Sequence, residues 1–141
     1  MYEYRIVEPN ETEADYIDDM LMMHNMESKP FTQEEAFVRI NRCMKEEDGT
    51  VIGGILAYSV MWNILYIDTL WIDKAFRGKG LGTKLLKEVE MEALNLGCHI
   101  AHLDTFDFQG KDFYIKNGYS IFGTLEDSPK GHSEYFLMKK L

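Results

Sequence analysis

The stretch Leu70-Trp71-Ile72-Asp73-Lys74-Ala75-Phe76-Arg77-Gly78-Lys79-Gly80-Leu81-Gly82-Thr83 decides how this chain is read. It runs from strand through a tight turn into helix. Leu65 to Ile72 is rich in β-branched and aromatic residues and reads as a strand. Leu81, Leu85, Leu86, Val89, Ala93 and Leu94 recur at helical spacing until Gly97 stops the pattern. Between them, three alternating glycines permit positive φ and let backbone N–H groups approach a ligand closely. A helix N-terminus adds unpaired donors and the positive end of the dipole, so the turn suits an anion such as a diphosphate. Arg77 and Lys79 add formal charge. The Walker A spacing fails at Gly78–Lys84, and the dinucleotide fingerprint fails because the glycines read G-x-G-x-G. A plain glycine turn is the alternative that needs no ligand.

Working outward, 141 residues and a 45% apolar composition suit one domain with a real core, taken as residues 1–141. The net charge of −9 speaks against a general nucleic-acid binder, which needs surplus Lys and Arg. The charge is uneven: residues 1–48 hold 13 acids and five bases, whereas 74–87 hold five bases and no acid. The basic segment reads either as an anion site or as a solvated helix face. No apolar run reaches the ~20 residues of a membrane span, and no basic start with an apolar block marks a signal peptide. A cytoplasmic protein without membrane attachment is expected. Cys43 and Cys98 lie far apart, outside any nucleophile motif, and are expected to be buried. His99 and His102 are three apart on a strand and make a poor metal pair, so no metal is expected.

The remaining pattern predicts a strand over Tyr2–Val7, a helix over Glu11–Met26, and a second helix from Thr32 to about Met44. The second rests on the Thr32/Glu35 capping box and the stripe Ala36, Phe37, Ile40, Met44. Strands follow at Thr50–Val60 and Leu65–Ile72, then the glycine turn and its helix, a strand at Cys98–Thr105 and a short helix at Gly110–Asn117. Two last strands, Tyr119–Leu125 and Glu134–Met138, flank Ser128-Pro129-Lys130-Gly131. The near-continuous apolarity of the central strands predicts a sheet covered on both faces. The sum is an α/β fold with a mixed central sheet of about six to seven strands and about four helices.

Two segments together resemble the GNAT superfamily of N-acetyltransferases. Arg77-Gly78-Lys79-Gly80-Leu81-Gly82 matches its Arg/Gln-x-x-Gly-x-Gly/Ala motif between strand and helix. Phe113-Tyr114-Ile115-Lys116-Asn117-Gly118-Tyr119 resembles its Phe-Tyr-x-x-x-Gly-Phe/Tyr segment. The order of elements agrees over essentially the whole chain. The resemblance implies acetyl-coenzyme A as cofactor, lying where the strand ending near Ile72 and the strand Cys98–Thr105 splay apart. Lys79, Gly80, Gly82 and Thr83 would hold the pyrophosphate, within a motif that also includes Arg77, Gly78 and Leu81. Main-chain groups of Leu70, Trp71 and Ile72 would pair with the pantetheine, one amide polarising the thioester carbonyl. Phe113 and Tyr114 would border the cofactor, with Tyr114 as the acid that protonates the thiolate. The family often has Asn where this chain has Asp107; Gln109 could supply the missing amide.

An amine acceptor must be neutral to attack, and a lysine with pKa about 10.4 is neutral roughly once in a thousand at pH 7.4. Asp68, two residues before Leu70 and so expected on the same strand face, is the candidate base. Asp104, His24, Asn25 and His132 are candidates for binding the acceptor. The acidic first third suits a small cationic amine, and the family allows a homodimer. The alternatives are a protein or peptide N-acetyltransferase, or a non-catalytic acyl-coenzyme A-binding regulatory domain. For each charged candidate the competing reading is an ordinary rim or surface residue.

Overall fold

The computed structural model describes residues 3–141. Its elements in chain order are α1 (Glu11–Ser28), β1 (Phe37–Arg39), β2 (Arg42–Lys45), β3 (Val51–Val60), β4 (Ile64–Ile72), α2 (Leu81–Asn95), β5 (Ile100–Phe106), α3 (Lys111–Lys116), β6 (Ser120–Glu126) and β7 (Ser133–Lys140). A 3-10 turn, Lys74–Phe76, follows β4. The strands form one sheet in the order β1-β3-β4-β5-β7-β6, with β2 also pairing β3. Only β4 and β5 run parallel among the described pairs. The expected α/β fold with a mixed sheet is present, with seven strands and three α-helices among the described residues.

The core lies between the sheet and α2. Leu85, Leu86, Val89 and Ala93 form one buried stripe on α2, facing the buried Ile55, Leu65, Leu103 and Leu137 of the strands. Fully burying an aliphatic side chain of this size contributes about 1.5–3 kcal/mol. Both α2 and α3 end where the sequence supplies glycine. Cys98 N–H donates to the Ala93 carbonyl and Gly97 N–H to that of Leu94; Tyr119 and Gly118 repeat the pattern with Tyr114 and Ile115. Gly97 (φ 99°) and Gly118 (φ 93°) take the left-handed conformation that this closure requires.

The helix expected over Thr32–Met44 is not formed; its place is taken by β1 and β2. Ala36, Ile40 and Met44 are four apart, a spacing that a helix face and a strand face both satisfy. Pairing with β3 decides between them: Phe37–Arg39 lie opposite Tyr58–Val60, and Ile40 is fully buried. The capping box is absent because Thr32 donates its hydroxyl to Asn63 Oδ1. Cys98 is buried as expected, whereas Cys43 is exposed, on the outward side of β2.

The N-terminal expectations divide. α1 forms, opened by a reciprocal bond between Asn10 and Glu13: Glu13 N–H donates to Asn10 Oδ1 at 2.8 Å, and Asn10 N–H to Glu13 Oε1 at 3.0 Å. Of the strand expected over Tyr2–Val7, Tyr2 lies outside the described residues, and residues 3–7 take no regular structure. None of the α1 residues is buried. Tyr4, Ile6 and Leu21 are 94, 103 and 61% exposed, so the arm 3–28 stands away from the body. The face of the sheet opposite α2 is therefore left without the expected cover. Leu56 and Trp71 are 43 and 47% exposed there.

One buried ionic cluster ties α2 to the end of the chain. Glu90, 7% exposed, accepts from the Tyr119 hydroxyl at 2.7 Å and from Lys139 Nζ at 3.0 and 3.1 Å. Burial, then the Glu90 carboxylate, push the Tyr119 hydroxyl well above its ordinary pKa. Removing the cation would leave a buried carboxylate with one neutral partner. Lys139→Met is therefore expected to cost about 2–4 kcal/mol of stability, measured by urea unfolding.

Candidate active site

β4 and β5 pair only from Ile64–Tyr66 to Ile100–His102. Beyond that they separate, and a cleft of ≈ 730 Å³ opens between their C-terminal ends. One wall is the end of β4 from Asp68 to Ile72, the turn, and the start of α2. The other is Asp104 and Thr105 of β5, with Phe108, Gln109, Gly110, Phe113 and Tyr114.

At the turn, Gly78 (φ 78°) and Gly80 (φ 76°) adopt the left-handed conformation. Gly80 is the N-cap of α2, and no side chain caps that end. The first-turn N–H groups therefore keep their donors for a ligand. A Cβ on Gly82 would meet the Phe113 ring at 3.2 and 3.3 Å, so glycine lets the helix start sit directly against α3. Arg77 Nε donates to the Ile72 carbonyl at 2.8 Å, fixing the turn to the strand end and leaving its terminal nitrogens free of that bond. Leu81 and Thr83 line the cleft with these glycines. Lys79 does not; its ammonium lies 5.4 Å over the Phe76 ring. An uncapped helix end, flexible glycines and a guanidinium beside them fit a diphosphate.

At the other end, Tyr114 is 8% exposed and borders the cleft. Its hydroxyl has no hydrogen-bond partner among the described residues. Burial, then the Asp104 charge, push its pKa up to about 12. Asp104 accepts from the Tyr66 hydroxyl at 3.1 Å. Tyr66 is itself pushed up to about 12 by burial and then Asp104.

Asp68 lines the cleft, but not by the expected alternation. Thr69 pairs with Leu56 and Ile67 with Ala57, which leaves Asp68 as the extra residue of a bulge. Asp68 is exposed while Leu70 packs against the core, so the two do not share an environment. Trp71 and Ile72 border the cleft as expected, and the main chain from Asp68 to Ile72 is paired with β3 alone.

The remaining candidates divide. Gln109 borders the cleft and accepts through Oε1 from Phe106 N–H at 2.8 Å, which leaves its amide NH2 free of that bond. Asp107 is outside the cleft, accepting from Ser133 N–H and bonded to His132 Nδ1, both at 2.9 Å. Those bonds hold its carboxyl below the usual range. His132 reaches the cleft only through the Phe108 ring, 5.3 Å away. His24 and Asn25 sit on α1, outside the cleft of their own chain. Two further aromatic residues belong to the site: Phe108 lines the cleft, and Tyr66 bonds Asp104. The register Tyr66↔His102 would have brought Tyr66 beside Asp104, two residues on.

Comparison with known proteins identifies the arrangement. Residues 4–119 match the acetyltransferase (GNAT) family. A blasticidin-S acetyltransferase of Streptomyces morookaense is 36% identical over 96 residues, covering 67% of this chain and 70% of that protein. The crystal structure of an acetyltransferase from Bacillus cereus is 35% identical and superposes with a TM-score of 0.92 over 100% of both chains. Residues 3–28 are nearly a fifth of the chain, more than that score allows to be placed altogether differently. An aminoglycoside 6'-N-acetyltransferase crystallised with coenzyme A, 19% identical, shares the fold at a TM-score of 0.65 over 93% of this chain and 92% of that one. With the glycine turn and the splayed strands in place, the chain belongs to the acetyltransferase (GNAT) family, as an N-acetyltransferase that uses acetyl-coenzyme A.

Proposed function

We propose that the acceptor is a small cationic amine, bound at the mouth of the cleft beside Asp68 and Asp104. The observation that carries this is the convergence in one cleft of an uncapped helix end, a buried tyrosine and two carboxylates. The blasticidin-S acetyltransferase relative is named for a small-molecule acceptor, which agrees with that reading. A cytoplasmic location goes with the acetyl-coenzyme A donor.

Acetyl-coenzyme A supplies the activated acyl group. N–H groups at Gly80, Gly82 and Thr83, with the guanidinium of Arg77, would hold its diphosphate. The main chain of Leu70–Ile72 would run beside the pantetheine, and the amide of Gln109 would face it. Asp68 attracts the cationic acceptor and, once the neutral amine has attacked, takes the proton that the nitrogen must release, directly or through water. Asp104, oriented by Tyr66, adds attraction for the cation. The Tyr114 hydroxyl gives its proton to the departing thiolate. Its raised pKa keeps that proton in place until the leaving group claims it.

The pH dependence follows in sign. Below the acceptor's own pKa each unit of pH raises the neutral amine about tenfold, so kcat/KM is expected to rise from pH 7 to 9. Tyr114, pushed up to about 12, stays protonated throughout. No falling limb is expected below about pH 11. A thiol-release profile checks this; a fall near pH 9 would show that a different acid serves the thiolate.

The substrate class is tested by titrating acetyl-coenzyme A calorimetrically, then following thiol release with polyamines, aminoglycosides, nucleoside antibiotics, amino acids and peptides. Binding, with release on a small cationic amine, is the expected outcome. Release on peptides alone would replace the acceptor assignment. Binding with no release on any amine would favour a coenzyme A-binding regulatory domain.

A further inference from the structure

Two apolar surfaces are left uncovered by the described residues. The first is the arm, residues 3–28. At 100° per residue, Tyr16, Ile17, Met20 and Leu21 fall on one side of α1, and Asp15, Asp18 and Asp19 on the other. A helix with this division normally buries its apolar side, yet Ile17 and Leu21 are 59 and 61% exposed. The extended lead-in is as open, with Tyr4, Ile6 and Val7 at 94, 103 and 66%. The second surface is the sheet face opposite α2, where Leu56, Tyr58, Tyr66 and Trp71 lie at cross-strand neighbouring positions. The outer edge of β1 and β2 is unpaired as well.

The arm's own body does not receive it, because its exit is fixed. Trp62 Nε1 donates to the Lys29 carbonyl at 2.9 Å, Thr32 N–H to that of Met61 at 3.1 Å, and Phe31 packs edge-on against Trp62. A TM-score of 0.92 over the whole of the Bacillus cereus crystal structure is higher than a chain with its entire arm placed elsewhere could reach.

We propose that a second copy of this chain supplies the cover, by a reciprocal exchange of arms. The apolar side of each α1 lies on the helix-free sheet face of the partner, and residues 4–7 follow the partner's open β1–β2 edge. One two-fold operation then satisfies plug and socket on both copies. The area suffices. Seven apolar side chains of the lead-in and of this face, Tyr4, Ile6, Val7, Tyr16, Ile17, Met20 and Leu21, are 43–103% exposed. At the roughly 60–120 Å² per side chain that 1.5–3 kcal/mol at ~25 cal/mol/Å² implies, they offer on the order of 600 Å² per arm, so two arms and their receiving faces exceed the ~1200–2000 Å² of a stable interface. Asp15, Asp18 and Asp19 stay in solvent on the side away from the contact, while Glu13 and Glu27 bound the apolar side at its two ends.

The full-length chain is expected to sediment at twice its monomer mass. With Leu21→p-benzoylphenylalanine, irradiation is expected to yield a covalent dimer joined through β3 or β4 peptides. Ile17→Asp with Leu21→Asp is expected to halve the sedimenting mass and leave the circular dichroism of the body unchanged, since both side chains are exposed within their own chain. A wild-type monomer, cross-links found only at monomer mass, or a dimer that survives the double substitution would each overturn the exchange. None of these readouts uses acetyl transfer, so their failure and a failure of the acceptor reading remain distinct.

Discussion

Gly80→Glu is expected to abolish coenzyme A binding in a calorimetric titration. Gly80 sits at φ 76° as the N-cap of α2, and no atom lies within 4 Å of the place a Cβ would take. The side chain therefore enters open space rather than a wall, and steric exclusion from the fold is not the cause. Two other effects act. The left-handed conformation costs a non-glycine residue about 1–2 kcal/mol of stability. The carboxylate also occupies the positive end of the helix, where a negative charge is welcome, and so takes the place of the diphosphate. Two like charges 4 Å apart repel by about 4 kcal/mol at an effective dielectric of 20, equivalent to roughly a thousandfold in affinity. Gly80→Ala separates the two causes. It carries the conformational cost without the charge, and is expected to stay within about tenfold of wild-type affinity. Unchanged binding by the glutamate variant would remove the diphosphate from this turn.

Tyr114→Phe is the second large effect, and it falls on the chemical step. Turnover is expected to drop about 10- to 1000-fold, the range that general acids contribute, with coenzyme A affinity nearly intact. The fold gives no reason for the variant to misassemble. The ring packs edge-on against Phe113 and Tyr119, 5.1 and 5.8 Å between centroids, and phenylalanine keeps both contacts. The lost hydroxyl has no partner among the described residues whose bond would be orphaned. Thiol release at saturating acceptor measures the loss. Turnover equal to wild type would remove Tyr114 from proton transfer.

The segments that proved legible in the sequence are those whose local signals have one solution. The glycine turn, α2 and α3 are each bounded by residues that only one backbone geometry suits, such as Gly97 and Gly118 at positive φ. The segment 32–44 has two solutions locally. Its four-residue apolar spacing fits helix and strand alike, and only pairing with β3 selects the strand. The site divides along the same line. Residues fixed by the turn or by α3 line the cleft, from Arg77 to Thr83 except Lys79, and Phe113 and Tyr114. His24, Asn25 and His132, assigned by proximity to a loop, and Asp107, assigned by the family's spacing, do not; they are placed by contacts distant in sequence. Tyr66 shows the same limit from the other side. Its bond to Asp104 crosses a parallel pair whose register no local pattern encodes.

The bulge at Asp68 has a consequence for how this stretch can change. One residue of length resets the parity of the strand. Upstream, Leu65 and Ile67 point into the core; downstream, Leu70 and Ile72 do so, and Trp71 points out. Exchanging one aliphatic for another at any of these positions leaves that frame intact. Paired one for one with β3, the same residues would turn the large indole toward α2 and carry Leu70 and Ile72 into water. Deleting Asp68 instead restores plain alternation with the same inward set, so the stretch can lose its bulge without disturbing the core, and what it loses is the carboxylate at the cleft.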